Sequence, residues 1–255
     1  PTVYAILLNL PDAEKYDLSS LRICICGAAP MPVEVFRKFE EKFKAFILEG
    51  YGLSEGTCVS SVNPLDGTRK IGSIGLPIPE QEMKIFDDQD RELPQGEIGE
   101  IVIRGENVMV GYYKNPEATA ETLRNGWLHT GDLGYVDEEG YFYIVGRKKE
   151  MIIRGGENIY PKEIEEVLYR HPKIAEAAVV GLPDKIWGEE VSAFIVLKLG
   201  ESLSEEEVIA YCKEHLADYK CPQKVMFTGV FPKTATGKIQ KGKLRELYSS
   251  SITRI

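Results

Sequence analysis

The segment between Leu21 and Gly52 constrains the fold of this chain more than any other, because strand-like and helix-like patterns alternate within it. The run Leu21-Arg22-Ile23-Cys24-Ile25-Cys26-Gly27 is apolar and closed by glycine, which predicts a buried strand. Residues 32–43 carry apolar side chains at helical spacing, and residues 45–48 form a second apolar run. A strand, a helix and a strand in this order predict a parallel βαβ unit and an α/β fold.

Two further changes of pattern divide the rest of the chain. From about residue 67 to residue 146, turn signals separate short alternating segments at 82–86, 99–104, 134–136 and 141–145. These segments predict antiparallel strands and a small β barrel. After residue 146, a compact α+β pattern follows: helices over 161–169, 204–216 and 242–248, and strands over 174–180, 191–197 and 224–227. The sequence therefore predicts two domains, residues 1–146 and residues 147–255, joined at Gly146-Arg147-Lys148-Lys149.

Charge is distributed unevenly between these two parts. The net charge is −9, yet residues 1–146 hold 24 acidic and 13 basic residues, whereas residues 147–255 hold 16 acidic and 18 basic. Seven basic residues and no acidic one lie between Tyr219 and Arg245. This run is either a solvated face or a segment that meets an anion. Nucleic acid is disfavoured, because the rest of the chain is acidic and no aromatic residues interleave the run, so a phosphorylated small molecule is the preferred anion.

Other features indicate a soluble cytoplasmic protein. With 43% hydrophobic and 28% charged residues, the composition is that of a globular chain. No apolar stretch reaches the length of a membrane span, and no signal-peptide pattern is present. The five cysteines contain no C-x-x-C pair, so reduced thiols are expected rather than disulfides or zinc.

Four polar, glycine-rich segments and one lysine loop can carry chemistry, although each also fits an ordinary turn or polar loop. Small residues at 27–30 would let a ligand approach the backbone at the end of a strand. The segment 49–57 offers an aromatic ring, a hydroxyl for phosphate and a carboxylate for Mg²⁺. An aspartate lies between glycines in 129–134, and two lysines lie in the loop 232–239. The fourth segment consists of residues 146–147 followed by 152–161, and it contains a Gly-Gly turn before a helix. His129 has no histidine neighbour in sequence and is interpreted as a packing or hydrogen-bonding residue.

In their order and spacing, these segments resemble the adenylate-forming superfamily of acyl-CoA synthetases, beetle luciferases and peptide-synthetase adenylation domains. The resemblance covers residues 17–247 and is strongest to the carboxyl-terminal half of a bacterial or archaeal fatty-acyl-CoA ligase. It implies that residues 1–146 are the carboxyl-terminal part of the large AMP-binding domain. Residues 147–255 would then be a mobile lid domain with its hinge at Lys149.

The resemblance also implies a reaction and its residues. A carboxylate attacks ATP to give an acyl-adenylate, a thiol of CoA then takes the acyl group, and no tightly bound organic cofactor is needed. Lys238 and Glu55 would be catalytic, with Glu55 the Mg²⁺ ligand. Asp132 and Arg147 would bind the ribose, and Tyr51 would stack on the purine. The implied nucleotide site consists of Gly27, Ala28, Ala29, Pro30, Glu49, Gly50, Tyr51, Gly52, Ser54, Asp132, Arg147 and Lys238, and the CoA loop of Gly155, Gly156 and Glu157.

Several alternatives stay open at this stage. The family's phosphate loop lies upstream of the motifs seen here, so we expect a piece of a longer enzyme that adenylates weakly or not at all in isolation. A non-catalytic nucleotide- or CoA-binding module, a carrier-protein-directed adenylation enzyme and a nucleic-acid binder are the other hypotheses. Fatty acid is the preferred substrate, followed by aryl or branched acids. The expected partners are ATP, AMP, the acid and CoA, with peripheral membrane contact as an option.

Overall fold

The chain forms two compact units, Pro1–Lys148 and Lys149–Ile255, each with its own sheets and core. The structure, a computed structural model, describes residues 1–235 and 237–252, with the backbone alone for 249–252. The division between the units lies two residues after the boundary predicted from the sequence.

The first unit opens with the predicted βαβ arrangement. Two neighbouring strands run parallel, with Cys26 opposite Glu49, and an amphipathic helix connects them. The elements here are α1 (Thr2–Asn9), β1 (Ile23–Cys26), α2 (Val33–Phe43), β2 (Phe46–Tyr51), β3 (Ser61–Val62) and β4 (Leu76–Pro77). The four strands form the first sheet in the order β1-β2-β3-β4, and its last two pairings are antiparallel.

The strand β1 is less buried than the sequence predicts. Its Cys26 is buried, but Ile25 on the other face is 76% exposed and Ile23 is 38% exposed. Among the described residues, β1 lies at the edge of its sheet, and its core contacts come from α1 and α2 on one face. There Phe39 of α2 packs edge-on against Tyr4 of α1 at 4.8 Å between ring centroids. An apolar run thus predicts a strand correctly without predicting how many of its faces are covered.

A second sheet of the first unit is antiparallel throughout, as the alternating pattern predicts. Its elements are β5 (Glu82–Phe86), β6 (Gly99–Arg104), α3 (Pro116–Thr122), β7 (Leu123–Arg124), β8 (Trp127–Val136) and β9 (Phe142–Arg147). The strand order is β5-β6-β8-β7, β9 also pairs with β8, and the strands form a half-barrel. The apolar side chains of β5, β6 and β8 form its core, with Ile85, Ile101 and Leu128 almost fully buried.

The strand β8 contains an irregularity that matters for the site. Glu100 of β6 pairs with Leu133, and Val102 pairs with His129. Between these two pairs β6 contributes one residue, Ile101, while β8 contributes the three residues 130–132. This three-against-one bulge explains why only residues 134–136 of β8 are predicted as strand, because the sequence around it has the composition of a loop.

The second unit is a five-stranded sheet with helices on both faces. Its elements are β10 (Ile152–Arg154), β11 (Glu157–Ile159), α4 (Pro161–Arg170), β12 (Ile174–Asp184), β13 (Gly188–Leu197), α5 (Glu205–His215), β14 (Lys224–Phe227) and α6 (Lys241–Ile252). The strand order is β11-β10-β13-β12, and β14 joins β13 in parallel. Alternate residues of the longest strand, β12, point to opposite sides: Val179 packs in the core with α4 and α5, and Val180 packs against α6.

Local sequence signals account for several of these boundaries. Ser204 and Glu207 form a capping box at the start of α5, each side chain accepting from the other residue's backbone N–H. Pro161 begins α4, where a missing N–H costs nothing. All five cysteines are free thiols. Within the described residues, none of the helices has the length and apolar character needed to cross a membrane.

Candidate functional site

The first two motifs meet at the carboxyl ends of β1 and β2. Gly27 to Pro30 follow β1. Glu49 of β2 belongs to the last residue pair between the two strands, opposite Cys26. The buried Glu49 accepts a hydrogen bond from the backbone N–H of Met31 through Oε1 (3.3 Å). A Cβ at Gly27 would lie 3.2 Å from the Gly50 carbonyl oxygen, so the two backbones run close together here. In an open α/β sheet this edge is the usual place for a ligand.

The loop after β2 is folded tightly on itself, which requires glycine. A Cβ at Gly52 would lie 1.9 Å from the Cys58 carbonyl oxygen, a distance that no side chain tolerates. The Cys58 N–H in turn donates to the Leu53 carbonyl (3.1 Å), closing the loop around a 3₁₀ turn over residues 54–56. This turn presents an exposed Ser54 hydroxyl beside the Glu55 carboxylate.

Glu55 is held in place by a residue that sequence reasoning missed. The Tyr112 hydroxyl donates to Glu55 Oε1 at 2.7 Å, and the Met109 N–H donates to the Glu55 carbonyl at 2.7 Å. Tyr112 is 57 residues away in sequence, so no local spacing connects it to the motif. The described residues contain no group of three His, Cys, Asp or Glu side chains arranged to hold a metal. A single carboxylate nevertheless fits Mg²⁺, which commonly takes one protein carboxylate and completes its shell with phosphate oxygens and water.

The motifs of the first unit converge on Asp132. The Tyr51 hydroxyl donates to Asp132 Oδ2 at 2.6 Å, and Arg147 Nε donates to Asp132 Oδ1 at 2.7 Å. Asp132 is buried, whereas Arg147 is largely exposed. Burial, followed by the adjacent Asp132 carboxylate, raises the pKa of Tyr51 well above its ordinary value, so Tyr51 stays a donor at neutral pH. A carboxylate has about four acceptor positions, so Asp132 retains capacity for further hydroxyl donors.

The bulge in β8 is what presents Asp132. Its middle residue, Gly131, has φ of +70°, a conformation that favours glycine. The Thr130 hydroxyl donates to the Ile101 carbonyl (2.7 Å) and accepts from the Asp132 N–H (3.1 Å). His129 is buried, with Nδ1 3.2 Å from Glu100 Oε2, which agrees with its interpretation as a hydrogen-bonding residue.

The second unit carries the remaining predicted residues on exposed turns. Lys149 lies in a short 3₁₀ turn, and its side chain is exposed. Gly155 and Gly156 form the two-residue loop between β10 and β11, with φ of +60° and +92°, as a type I′ hairpin turn requires. Glu157 follows at the start of β11 and is exposed. The alternative interpretation of this segment as a hairpin turn is therefore geometrically correct, and it leaves the loop available to a ligand.

Lys238 lies in a loop that is closed by its own backbone. The Thr234 N–H donates to the Lys238 carbonyl (2.8 Å), and the Lys238 N–H donates to Thr234 Oγ1 (3.1 Å), which closes the loop. The Lys238 side chain is exposed, and its ammonium forms no ion pair within residues 1–235 and 237–252. Thr236 of the same loop lies outside the described residues. A lysine presented in this way is available to an external anion.

Most of the basic run is neutralised within its own unit. Four of the seven cations pair with glutamates on other elements, at nitrogen–oxygen distances between 2.6 and 3.4 Å. A continuous positive surface for a nucleic-acid backbone is therefore not formed, which weakens the nucleic-acid hypothesis. The pairs are Lys220–Glu163, Lys233–Glu176, Lys241–Glu165 and Arg245–Glu189.

Comparison with known proteins gives consistent matches along the chain. A family model described as "AMP-binding enzyme" matches residues 1–113, and one described as "AMP-binding enzyme C-terminal domain" matches residues 163–238. The long-chain-fatty-acid–CoA ligase of Bacillus subtilis (strain 168) is 49% identical over 247 residues, covering 96% of this chain and 44% of the ligase. Feruloyl-CoA synthase of an Amycolatopsis species is 43% identical over 249 residues, covering 97% of this chain and 50% of the synthase.

A solved structure gives the same result in three dimensions. The crystal structure of an anthranilate CoA ligase in complex with anthranoyl-AMP superposes with a TM-score of 0.90 at 37% identity, covering 97% of this chain and 48% of that one. The chain thus spans about half the length of the relatives it matches. With two family domains in order, relatives at this identity and the predicted motifs at the ends of β1 and β2 and in the bulge of β8, the chain belongs to the adenylate-forming superfamily of AMP-binding enzymes.

Proposed function

We propose that the full-length protein activates a carboxylic acid with ATP and transfers the acyl group to CoA. The observation that carries this proposal is that Tyr51 and Arg147, from two separate motifs, both donate to the buried carboxylate of a third motif residue, Asp132. Together with the family membership, it supports a nucleotide site at the carboxyl ends of β1 and β2. Asp132 would accept the ribose hydroxyls, Arg147 would fix the carboxylate, and the Tyr51 ring would face the purine.

In the first step, a carboxylate oxygen of the acid attacks the α-phosphorus of ATP, and pyrophosphate leaves with its electron pair. No proton needs to move, so the protein has to orient the reactants and stabilise charge. Lys238, an exposed ammonium without an ion pair among the described residues, suits that second task. Ser54 would donate its hydroxyl to a phosphate oxygen, and Gly27–Pro30 would line the pocket.

Mg²⁺ belongs to this proposal as a companion of ATP. Glu55 is the residue that would hold it, and Tyr112 fixes one oxygen of that carboxylate at 2.7 Å. When bound, the ion offsets the negative charge of the phosphate oxygens. Tyr112 is then a positioning residue for the metal ligand.

In the second step, the CoA thiolate attacks the acyl carbonyl carbon, and AMP leaves. The exposed Gly155-Gly156 turn and Glu157 suit a loop that meets the thiol donor, because a Cβ at Gly156 would meet nothing within 4 Å and the backbone is open to a narrow ligand there. Lys149 lies at the point where the two compact units divide, which supports its proposed role as the hinge between the two half-reactions.

Long-chain fatty acid is the substrate class that we propose. It rests on the relative from Bacillus subtilis at 49% identity, compared with 43% for the feruloyl-CoA synthase. Thioester formation by the full-length protein from palmitate, ferulate and benzoate, each at equal concentration, would rank these classes. A clear preference for an aryl acid would overturn the fatty-acid assignment and leave the reaction type intact.

Replacement of the loop lysine tests the reaction itself. Lys238→Ala in the full-length protein should reduce ATP–pyrophosphate exchange by about a hundredfold or more, because a preorganised charge at the transition state is lost. Thioester formation from a supplied acyl-adenylate should be largely retained. Lys243→Ala is the matched control, since Lys243 is an exposed lysine five residues away.

Each other outcome has a meaning. Exchange unchanged by Lys238→Ala would contradict the assigned role of Lys238. Nucleotide binding by the parent protein without any exchange would favour the non-catalytic module. Acyl transfer to a carrier protein in preference to CoA would favour a carrier-directed adenylation enzyme.

A further inference from the structure

Glu100, on β6, makes contacts that the proposed reaction leaves unexplained. Its side chain is buried, with 9% of its surface exposed. One oxygen, Oε1, accepts the Gly131 N–H at 2.9 Å, and the other, Oε2, lies 3.2 Å from His129 Nδ1 and 3.6 Å from Arg124 Nη2. A buried carboxylate is costly unless its oxygens are satisfied, and these three contacts satisfy them.

The first of these contacts reaches the centre of the bulge in β8. Gly131 is the middle residue of the three that stand opposite Ile101, and it lacks a regular ladder partner there. Its N–H is therefore free of the sheet, and Glu100 Oε1 receives it instead. The next residue along the chain is Asp132 itself.

The remaining contacts fix Glu100. Arg124 also forms a bidentate contact with Asp90, through Nε at 3.0 Å to Oδ2 and Nη2 at 3.0 Å to Oδ1, and Asn125 adds a bond of 2.8 Å to the same carboxylate. The His129 ring packs edge-on against Phe86, with 6.3 Å between ring centroids. His129 and Arg124 thus fix the Glu100 carboxylate through Oε2, and Oε1 is directed at the bulge.

We propose that Glu100 is a positioning residue for nucleotide binding: through the Gly131 N–H it holds the bulge in the conformation that aims the Asp132 carboxylate at the ribose hydroxyls. This inference rests on the proposed function, because it assumes that Asp132 meets the ribose. The contacts of Glu100 are with Gly131, His129 and Arg124, so we expect its effect on binding to be confined to the contribution of the ribose hydroxyls.

The bond to Gly131 depends on the reach of the side chain, whereas the contact with Arg124 depends on its charge. Two conservative variants separate these properties. Glu100→Asp keeps the charge but withdraws the carboxylate by one methylene from Gly131. Glu100→Gln keeps the length and one acceptor oxygen but removes the charge. Both are mild changes, and Glu82→Asp, an exposed glutamate paired with Arg104 on the neighbouring strand, is the matched control.

The experiment compares the dissociation constants of ATP, 2′-deoxy-ATP and 3′-deoxy-ATP for the full-length protein and its variants. The parent should bind ATP about tenfold more tightly than the deoxy nucleotides, the size expected for hydrogen bonds to a charged acceptor. Glu100→Asp should lose most of that preference while binding the deoxy nucleotides as the parent does. Glu100→Gln and Glu82→Asp should keep the preference.

The possible failures are distinguishable. A parent without any preference for ATP over the deoxy nucleotides would contradict the role of Asp132, and with it the proposed site. A parent that discriminates, combined with a Glu100→Asp variant that discriminates equally, would overturn the positioning role alone. A variant series in which Glu100→Gln is the damaged member, or in which all three nucleotides weaken together, would show that Glu100 serves only the stability of its charge cluster and would likewise overturn the inference.

Discussion

At the scale of single residues, the hydroxyl of Tyr51 does more than its predicted stacking role requires. It donates to Asp132 at 2.6 Å from a buried position, and the raised pKa of Tyr51 keeps the proton on the phenol. The aromatic ring and the hydroxyl therefore have separable tasks. The ring is available to a purine, and the hydroxyl fixes the carboxylate together with Arg147.

Removing that hydroxyl tests the division of tasks. Tyr51→Phe should raise the KM for ATP about tenfold, because a hydrogen bond to a charged acceptor is lost while the ring remains. Steady-state kinetics of the full-length protein over a range of ATP concentrations gives the value. Tyr143→Phe is the control, since Tyr143 of β9 also donates to an aspartate, Asp137 in the turn after β8, at 3.3 Å. Equal effects of the two changes would show that Tyr51 matters for the fold and has no special connection to ATP.

At the scale of elements, the hairpin between β10 and β11 combines two glycines with different surroundings. Both have positive φ, so any side chain there is strained. A Cβ at Gly155 would also lie 2.8 Å from the Trp187 ring, whereas a Cβ at Gly156 would meet nothing within 4 Å. The guanidinium of Arg154 lies 5.0 Å from the same ring. Trp187 therefore packs on the hairpin loop at Gly155.

This difference yields a prediction from a matched pair of variants. Gly156→Ala should cost about 1 kcal/mol through backbone strain alone, and Gly155→Ala should cost more, because Trp187 must move as well. Denaturant unfolding measures both, and tryptophan fluorescence should change clearly only for Gly155→Ala. If the loop meets the thiol donor, Gly155→Ala should slow thioester formation more than pyrophosphate exchange. Indistinguishable spectra for the two variants would refute the packing argument.

The bounds of strands and helices follow from the sequence only where the local apolar pattern is strong. Strands β5 and β6 and helix α4 have strong local signals, so their predicted bounds agree with the structure to within a residue. Helix α3 is not predicted, although Asn115 caps it and Pro116 begins it, because it buries no side chain and so has no apolar periodicity. The contact of Tyr112 with Glu55 depends on the tertiary fold, which no local pattern encodes. The motifs can be predicted because each is a run of neighbouring residues. Their contact partners cannot, because they lie far away in sequence.

At the scale of the whole molecule, the acidic total charge conceals an internal pairing of opposite charges. Four of the seven basic residues late in the chain pair with glutamates on helices and strands of the second unit. The best-packed of these is Lys241, 2.7 Å from Glu165 and 3.5 Å from Glu150, with 20% of its side chain exposed. Burial works against its charge, but the two glutamates outweigh it and raise the pKa of Lys241 above the ordinary value.

The sign of this shift predicts how stability depends on pH. A raised lysine pKa stabilises the folded state fully below about 10.5, the unfolded value, and the stabilisation is lost as the pH rises through the folded pKa. Lys241→Met should therefore lower the free energy of unfolding by about 3 kcal/mol at pH 7, because it leaves partly buried carboxylates without their cation. Urea unfolding at pH 7, 9 and 11 should show a constant deficit up to pH 9 and a smaller one at pH 11. Lys243→Met is the exposed control, and a deficit that grows with pH would contradict the prediction.

The bulge in β8 also governs which insertions and deletions this strand can accept. Because three residues stand opposite one, β8 is longer than β6 by two residues between flanking pairs, and an even excess leaves the alternation of inward and outward side chains in phase on both sides. Loss of a single residue from 130–132 would turn every later side chain of one flank to the opposite face, whereas loss of two would restore a regular ladder and remove the projecting aspartate. Related sequences that lack the aspartate should therefore differ in length here by two residues or by none, and a one-residue gap in an alignment at this point marks a misplaced register.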